Sequence, residues 1–260
     1  PRKPWPALLT LALIGGGALS LQGRDWSTPA GPALDIALLQ GNVEQQMKWD
    51  PAHFEATLAR YLSLTAAQRG ADVVIWPENA IPALPSEVPD GYFDAVRAAA
   101  GRSAVLIGMP TGARDGPYYN AIAQITAPGG EYRKRHLVPF GEYVPLKRQI
   151  GPLLDVLAVP MSDFSSGGAG QALLDVAGNP VAASVCYEIL FPQEVRAGAA
   201  AGWLVNVSND AWFGDSIAPP QHLDIARMRA RELARPIARA TNTGITAVID
   251  ARGRVTARAA

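Results

Sequence analysis

The stretch VAASVCYEILFP, residues 181–192, joins an apolar strand to the start of a helix and places the chain's single cysteine at the junction. The residues before Cys186 are small or β-branched, which is typical of a buried strand, and Pro192 suits the first turn of a helix. Main-chain N–H groups and the helix dipole favour a thiolate at such a junction. The stretch therefore predicts an α/β fold with Cys186 as a candidate nucleophile. The alternative is that Cys186 is a small, buried hydrophobic side chain.

Apolar strands and helices alternate along the rest of the chain from about residue 31. The predicted strands are LDIALLQ (34–40), DVVIWP (72–77), SAVLIGM (103–109), NAIAQIT (120–126), EYRK (131–134), VAASVC (181–186), WLVNVS (203–208), IARATN (237–242) and ITAVID (245–250). The predicted helices are PAHFEATLARYLSLTAAQRG (51–70), GYFDAVRAAAG (91–101), PQEVRAGAAAG (192–202) and HLDIARMRARELA (222–234). Strands that are apolar throughout and alternate with helices predict sheets covered by helical layers.

The composition excludes several classes of function. Lys and Arg together number 23, as do Asp and Glu, so no basic field attracts nucleic acid. The single cysteine and three separated histidines (His53, His136 and His222) form no zinc motif, and no metal is expected. The chain also lacks the glycine motifs that bind dinucleotides or phosphates and the GxSxG elbow of serine hydrolases, so no cofactor is expected.

Residues 1–23 differ in character from the rest. Arg2 and Lys3 precede PWPALLTLALIGGGALSL, an uncharged run of 18 residues that is close to the minimum for crossing a bilayer. We predict a membrane-spanning helix over residues 1–23, with Arg2 and Lys3 in the cytoplasm. A signal peptide and a buried helix are the alternatives. Residues 24–260 then form a catalytic domain on the outer face. Because the chain begins without Met and ends in GRVTARAA, we expect a segment of a longer protein, truncated at its C-terminal end.

Two further strand ends offer the groups that a thiol nucleophile needs. Glu78 follows the strand DVVIWP, and Lys134 ends the strand EYRK, with Glu142 a few residues beyond it. Active-site groups of α/β folds collect at strand ends. A carboxylate at Glu78 can take the thiol proton, and the Lys134 ammonium can stabilise a tetrahedral oxyanion. The alternatives are a helix cap at Glu78 and a solvent-exposed basic face around Lys134.

Four short motifs, in this order, resemble the nitrilase or carbon–nitrogen hydrolase superfamily. They are WPEN (76–79), YRKRHLVPFGEYVP (132–145), VCYEILFP (185–192) and VSNDAWFG (207–214). The resemblance extends from about Leu34 to Ile249. Glu188 and Leu190 stand where the soluble amidases of the superfamily carry Asp and Arg. Within the superfamily, the chain is therefore more similar to the apolipoprotein N-acyltransferases.

This resemblance implies an αββα sandwich of two mixed sheets between helical layers, preceded by a membrane-spanning helix. It also implies a Glu-Lys-Cys triad in which Glu78 is the general base, Lys134 the catalytic lysine and Cys186 the nucleophile. Three further residues would support the active site, by hydrogen bonding or in the chemistry itself: Glu142, Tyr187 and Glu188. The main-chain N–H of Tyr187 would donate to the oxyanion beside Lys134.

The reaction that the resemblance implies is the last step of bacterial lipoprotein maturation. Cys186 would take an acyl chain from a phospholipid, with phosphatidylethanolamine as the expected donor, and hold it as a thioester. The α-amine of the S-diacylglyceryl-cysteine of an apolipoprotein would then accept the chain as an amide. The protein would lie in the bacterial inner membrane, with the catalytic domain on the periplasmic face. An amidase or nitrilase of small C–N substrates and a membrane-anchored binding domain are the alternatives.

Aromatic residues in predicted loops are candidates for lipid contact or for gating the entrance to the site. They are Trp49, Trp212 and Phe213. Ordinary core or interfacial packing is the alternative, and it is favoured for Trp49. His222 is expected to lie near a helix N-terminus rather than to act as a catalytic base.

Overall fold

The computed structural model of the chain describes residues 4–145 and 163–259. The chain divides into two compact units, Pro1–Gly31 and Pro32–Ala260.

The first unit contains a single helix, α1 (Trp5–Leu21), which is 17 residues long and has no buried residue. Among the described residues, no helix combines the length and the apolar character that crossing a membrane requires. The membrane span over residues 1–23 stays a prediction. Arg2 and Lys3, which set its expected orientation, lie outside the described residues.

The described residues of the second unit form two sheets, and the first has five strands. These are β1 (Ile36–Leu38), β2 (Val73–Ile75), β3 (Ala104–Gly112), β4 (Tyr118–Gln124) and β5 (Gly130–Arg133), which neighbour one another in this order. β1, β2 and β3 are parallel, whereas β4 is antiparallel to both β3 and β5, so the sheet is mixed. Its helices are α2 (Gln45–Lys48), α3 (Pro51–Ala67) and α4 (Tyr92–Ala100).

The second sheet has six strands and is also mixed. They are β6 (Leu174–Val176), β7 (Asn179–Val185), β8 (Trp203–Ser208), β9 (Ile237–Thr241), β10 (Thr246–Ile249) and β11 (Val255–Ala259). They neighbour one another in chain order, with β7, β8 and β9 parallel and the other pairs antiparallel. Its helices are α5 (Pro192–Val195) and α6 (Ala218–Leu233).

The two sheets pack face to face. Successive side chains of a strand point to opposite faces of its sheet, so one set lies between the sheets and the other set faces the helices. Val73 and Ile75 of β2 lie in the cluster between the sheets, together with Val185 of β7. Val74 and the adjacent Trp76 pack on the other face with side chains of α3 and α4. Side chains of α6 cover the outer face of the second sheet. The result is a four-layer αββα sandwich, and the predicted fold class is confirmed.

Some element bounds differ from the prediction. The helix predicted over residues 192–202 is α-helical only in α5 and continues as the 3₁₀-helix Arg196–Ala200. Helix α6 begins at Ala218 rather than at His222, because prolines fit a first turn whose N–H groups have no helical acceptor. β6 and β11, the two edge strands of the second sheet, are not among the predicted strands.

Candidate active site

The Glu78 carboxylate lies just beyond β2, on a segment held against β3. The Ala80 N–H donates to the Gly108 carbonyl oxygen at 2.7 Å. Gly108 permits this approach, because a Cβ there would lie 2.2 Å from the Pro77 carbonyl oxygen and 2.8 Å from the Glu78 Cα. The main chain of Glu78 is therefore fixed by close packing against the first sheet.

Lys134 is only 1% exposed and binds two carboxylates. Its Nζ lies 2.9 Å from Glu142 Oε1, 2.8 Å from Glu142 Oε2 and 3.5 Å from Glu78 Oε1. Asn120 joins the two acids, because its Nδ2 donates to Glu78 Oε1 at 2.8 Å and to Glu142 Oε1 at 2.7 Å. The alternative of a solvent-exposed basic face is wrong for Lys134. The Glu78 carboxylate binds Asn120 and Lys134 rather than a helix end.

The charges around Lys134 keep it protonated. Burial lowers the pKa of Lys134, but the charges of Glu78, Cys186 and Glu142 outweigh it and raise the pKa above its ordinary value. Lys134 is therefore a cation at neutral pH, as a group that stabilises an oxyanion must be.

Cys186 follows β7 directly and has a left-handed backbone conformation, with φ 53°, which residues with a Cβ rarely adopt. Its thiol interacts electrostatically with Glu78 and Lys134 and lies near Ser208. Burial and the charge of Glu78 raise the pKa of the thiol to about 12, against the opposing effects of Lys134 and Ser208. The expectation that the helix start lowers this pKa is wrong, because burial dominates and only the 3₁₀-helix Cys186–Leu190 follows.

A thiol with a raised pKa is protonated at neutral pH, so it reacts only when a base removes its proton. Glu78 lies within electrostatic reach of Cys186, and its carboxylate is oriented by Asn120 and Lys134. The geometry therefore places a protonated thiol, the candidate nucleophile, near an oriented carboxylate, the candidate base.

Glu188 connects the turn at Cys186 to the segment after β5 that contains Lys134. Its Oε2 accepts from the Val185 N–H at 2.7 Å, and its Oε1 accepts from the Arg135 N–H at 2.7 Å and the His136 N–H at 3.1 Å. The Tyr132 hydroxyl donates to the same carboxylate at 3.1 Å. Glu188 thus supports the site by hydrogen bonding.

Tyr187 lies at the edge of the same cluster. The Lys134 Nζ lies 6.0 Å from the centroid of its ring, and the ring makes edge contacts with His136 and Phe191 at centroid distances of 5.4 and 5.1 Å. Its side chain is thus one wall of the space beside Lys134.

The family follows from comparison with known proteins. A family model described as carbon–nitrogen hydrolase matches residues 35–260. The chain belongs to the carbon–nitrogen hydrolase family. The resemblance carried by the four sequence motifs is thereby confirmed.

Solved structures share the fold of this carbon–nitrogen hydrolase domain. A CN-hydrolase superfamily protein of Xanthomonas campestris aligns with a TM-score of 0.64 and 20% identity, over 88% of this chain and 87% of that chain. A nitrilase superfamily member of Saccharomyces cerevisiae aligns with a TM-score of 0.63 and 17% identity, over 90% and 88% of the two chains.

Curated relatives are more similar in sequence. The apolipoprotein N-acyltransferase of Methylococcus capsulatus is 45% identical over 95% of this chain and 50% of its own length. That of Nitrosomonas europaea is 46% identical over 96% of this chain and 51% of its own length. The chain thus spans about half the length of these relatives.

A buried polar network holds the carbonyl group of Cys186. This oxygen accepts from Asn206 Nδ2 and from His222 Nε2, each at 3.2 Å. Because a carbonyl oxygen only accepts, Nε2 of His222 carries a hydrogen. His222 lies in the N-terminal part of α6, as expected, and contacts the main chain of Cys186.

The charged members of this network are Asp210 and Arg239, whose side chains are fully buried. Asp210 Oδ2 accepts from Arg239 Nη2 at 2.9 Å, and Asp210 Oδ1 lies 3.1 Å from His222 Nδ1. Burial raises the pKa of Asp210, but the contact with His222 and the charge of Arg239 outweigh it, so the pKa is lowered. Sequence reasoning misses this pair because Arg239 stands within an apolar strand.

Replacing Asp210 with Asn should destabilise the domain by about 3–5 kcal/mol, because a buried arginine would lose its counter-ion. Equilibrium unfolding in urea measures the free energy of unfolding. Asp224→Asn is the matched control, since its side chain is 65% exposed and its change should stay within about 0.5 kcal/mol. Equal stability of the two variants would contradict the assignment of a buried ion pair to Asp210 and Arg239.

Sequence reasoning also misses Lys48, because a lysine in a polar stretch gives no signal of burial. Lys48 ends α2, is 4% exposed, and its Nζ donates to the carbonyl oxygen of Glu78 at 2.8 Å. Burial lowers the pKa of Lys48 to about 8, against the opposing charges of Glu78 and Cys186. A second ammonium thus lies beside the candidate base.

The predicted aromatic residues are exposed. Trp49 is 47% exposed and Trp212 is 72% exposed, and Phe213 is also exposed. This exposure excludes core packing for Trp49, which lies in the turn between α2 and α3, whereas interfacial packing stays an alternative. Trp212 and Phe213 share the 3₁₀-helix Asp210–Phe213 with the buried Asp210. Because Asp210 is held inside, the end of this turn projects outward.

Proposed function

We propose that the protein transfers an acyl chain from a membrane phospholipid, through a thioester on Cys186, to the α-amine of the S-diacylglyceryl-cysteine of an apolipoprotein. The observation that carries this proposal is the buried group of Glu78, Lys134 and Glu142 beside the chain's single cysteine. Identity of 44–46% to apolipoprotein N-acyltransferases over 95% or more of this chain supports the choice of substrates.

In the first step, Glu78 takes the proton of the Cys186 thiol, and the sulfur attacks the ester carbonyl carbon of the phospholipid. The C–S bond forms as the carbonyl π bond opens, and the ammonium of Lys134 and the main-chain N–H of Tyr187 stabilise the oxyanion. The tetrahedral intermediate then expels the glycerol oxygen, which takes the proton from Glu78. A lysophospholipid leaves and a thioester remains.

In the second step, the neutral α-amine of the apolipoprotein attacks the thioester carbon. Glu78 takes the proton that the amine loses, and the C–S bond breaks as the amide forms. The Cys186 sulfur leaves as a thiolate and regains the proton from Glu78. Glu142 and Asn120 stay in place throughout, and their hydrogen bonds hold Lys134 and Glu78 in position.

We infer that the catalytic domain, residues 24–260, works at the periplasmic face of the bacterial inner membrane, with residues 1–23 as a membrane-spanning helix. Both proposed substrates carry acyl chains and lie in a bilayer, with phosphatidylethanolamine as the donor. The exposed side chains of Trp49, Trp212 and Phe213 are suited to contact lipid or to gate the site, because aromatic residues favour the membrane interface.

Intact-protein mass spectrometry of the full-length protein in phosphatidylethanolamine–detergent micelles tests the proposal. We expect a mass gain of one acyl chain that hydroxylamine removes and that Cys186→Ala abolishes. Addition of a diacylglyceryl peptide should discharge the adduct and yield an N-acylated peptide. No adduct, together with hydrolysis of small amides in water, would instead assign the protein to the amidases.

Trp212→Ser should raise the KM for vesicle phospholipid by about tenfold while changing kcat little, since about 1.4 kcal/mol of lost lipid contact corresponds to a factor of ten. The free energy of unfolding should change by less than about 0.5 kcal/mol because the residue is exposed. Met228→Ser, which changes another exposed apolar side chain, on α6, is the control and should leave KM unchanged. A KM effect of the same size in both variants would contradict a specific lipid contact at Trp212.

A further inference from the structure

Lys48 is a buried cation that neither step of the proposed reaction uses. Among the described residues, the Glu78 carbonyl oxygen is the one acceptor within hydrogen-bonding distance of its Nζ, at 2.8 Å. Because an ammonium has three hydrogens, this single bond does not explain why the charge is buried. The burial of Lys48 therefore calls for a partner charge in the site.

The chain before Lys48 is fixed to the sheet that carries Cys186. Asn242 Nδ2 donates to the Val43 carbonyl oxygen at 2.8 Å, and the Val43 N–H donates to Asn242 Oδ1 at 3.1 Å. Asn209 Nδ2 donates to Gln45 Oε1 at 2.7 Å. Asn209 and Asn242 directly follow the parallel strands β8 and β9, as Cys186 follows β7. Lys48 is therefore anchored at the strand ends where the nucleophile lies.

The ammonium of Lys48 contacts Glu78, which follows β2 of the first sheet. Its hydrogen bond goes to the main chain of Glu78, and it interacts electrostatically with both Glu78 and Cys186. Lys48 thus connects the loops after β8 and β9 of the second sheet to Glu78, the candidate base, which follows β2 of the first sheet.

The charges beside the thiol include two anions and, without Lys48, a single ammonium. Glu78 and Glu142 are the carboxylates that bind Lys134, whereas Glu188, a third buried carboxylate, accepts from the main-chain N–H groups of Val185, Arg135 and His136. When Cys186 gives its proton to Glu78, the thiolate and Glu142 remain as two anions beside Lys134. Lys48 then supplies the second cation near these anions.

Arg239 and Asp210 also face Cys186 electrostatically. Arg239 donates to Asp210 and to Asn206, and Asp210 offsets its charge. The two opposite charges of Arg239 and Asp210 therefore largely cancel at the Cys186 sulfur. Lys48 and Lys134 are left as the cations that respond to the thiolate.

We propose that Lys48 is a positioning residue that holds the main chain of Glu78 and supplies the second positive charge that stabilises the Cys186 thiolate. This rests on the proposed roles of Glu78 and Cys186, but not on the identity of the acyl donor or acceptor. The lowered pKa of Lys48, about 8, adds a pH dependence: the stabilisation is present below that pH and is lost above it.

Alkylation of Cys186 by iodoacetamide tests the inference, with the rate read from the Cys186 peptide by mass spectrometry between pH 6 and pH 10. Lys48→Met removes the charge at similar volume and should slow alkylation at pH 7 by about tenfold or more, a factor that corresponds to one pKa unit of the thiol. In the parent protein, the rise in rate with pH should flatten above pH 8. In Lys48→Arg, whose charge does not titrate there, the rise should continue.

Arg60→Met, which removes an exposed cation on α3, is the matched control and should leave the alkylation profile unchanged. A parent-like rate and profile in folded Lys48→Met would overturn the inference. If Lys48→Met does not fold, identical profiles above pH 8 for the parent and Lys48→Arg would overturn it equally. Alkylation needs no lipid. A failure of the acyl-transfer proposal would therefore leave the alkylation result unchanged, and the two proposals are tested separately.

Discussion

Replacing Glu78 with Gln should slow formation of the Cys186 thioester by a factor on the order of 10²–10⁴, the range of general-base catalysis. The raised pKa of the thiol, about 12, leaves almost no thiolate at neutral pH, so the reaction depends on the base. A Gln side chain keeps an oxygen that can accept from Asn120 but cannot take a proton. Single-turnover mass spectrometry in phosphatidylethanolamine–detergent micelles measures the rate.

The control for this variant is Glu55→Gln on α3, where the carboxylate is exposed and far in sequence from the strand ends. Raising the pH should restore part of the activity of Glu78→Gln, because hydroxide then generates the thiolate directly. A Glu78→Gln protein that forms the thioester within tenfold of the parent rate would remove Glu78 from the role of base.

Replacing Lys134 with Met should affect both stability and catalysis. The variant leaves two carboxylates, Glu78 and Glu142, without the ammonium that binds them, and the buried site makes this costly. We expect a loss of about 3–5 kcal/mol in the free energy of unfolding. Thioester formation should fall by a further factor on the order of 10²–10³ through loss of the oxyanion donor. Urea unfolding and single-turnover kinetics measure the two effects separately.

Lys134→Arg separates the two contributions. The charge remains, so the stability should largely recover, but a planar guanidinium cannot occupy the position of an ammonium and acyl transfer should stay low. Arg133→Met, at the neighbouring and partly exposed position, should change the stability by less than about 1 kcal/mol. Lys134→Met with the stability and rate of the parent would contradict both assigned roles.

The layered fold is largely predictable from local pattern, because most strands of this domain are buried on both faces. WLVNVS is predicted as a strand over residues 203–208, and β8 is Trp203–Ser208. The pattern fails at the edges of the second sheet, where β11 is largely exposed and β6 is only 3 residues long. The pattern also fails at the start of α6, because prolines there are equally typical of a loop and the predicted helix begins too late.

Sequence alone determined the fold class, the family and the strand-end positions of Glu78, Lys134 and Cys186, because short motifs and strand periodicity are local properties. Tertiary structure decided that Lys134 is buried between two carboxylates and that the thiol pKa is raised. It also decided that Asn120 bridges the acids and that Lys48 holds the Glu78 main chain. These contacts join residues that lie 8 to 56 positions apart in sequence, and the burial of each side chain depends on the elements that pack around it. The strength of an interaction between charges depends on their burial and on the distance between them, and a local sequence pattern determines neither. The electrostatics of this site therefore depend on how the two sheets pack.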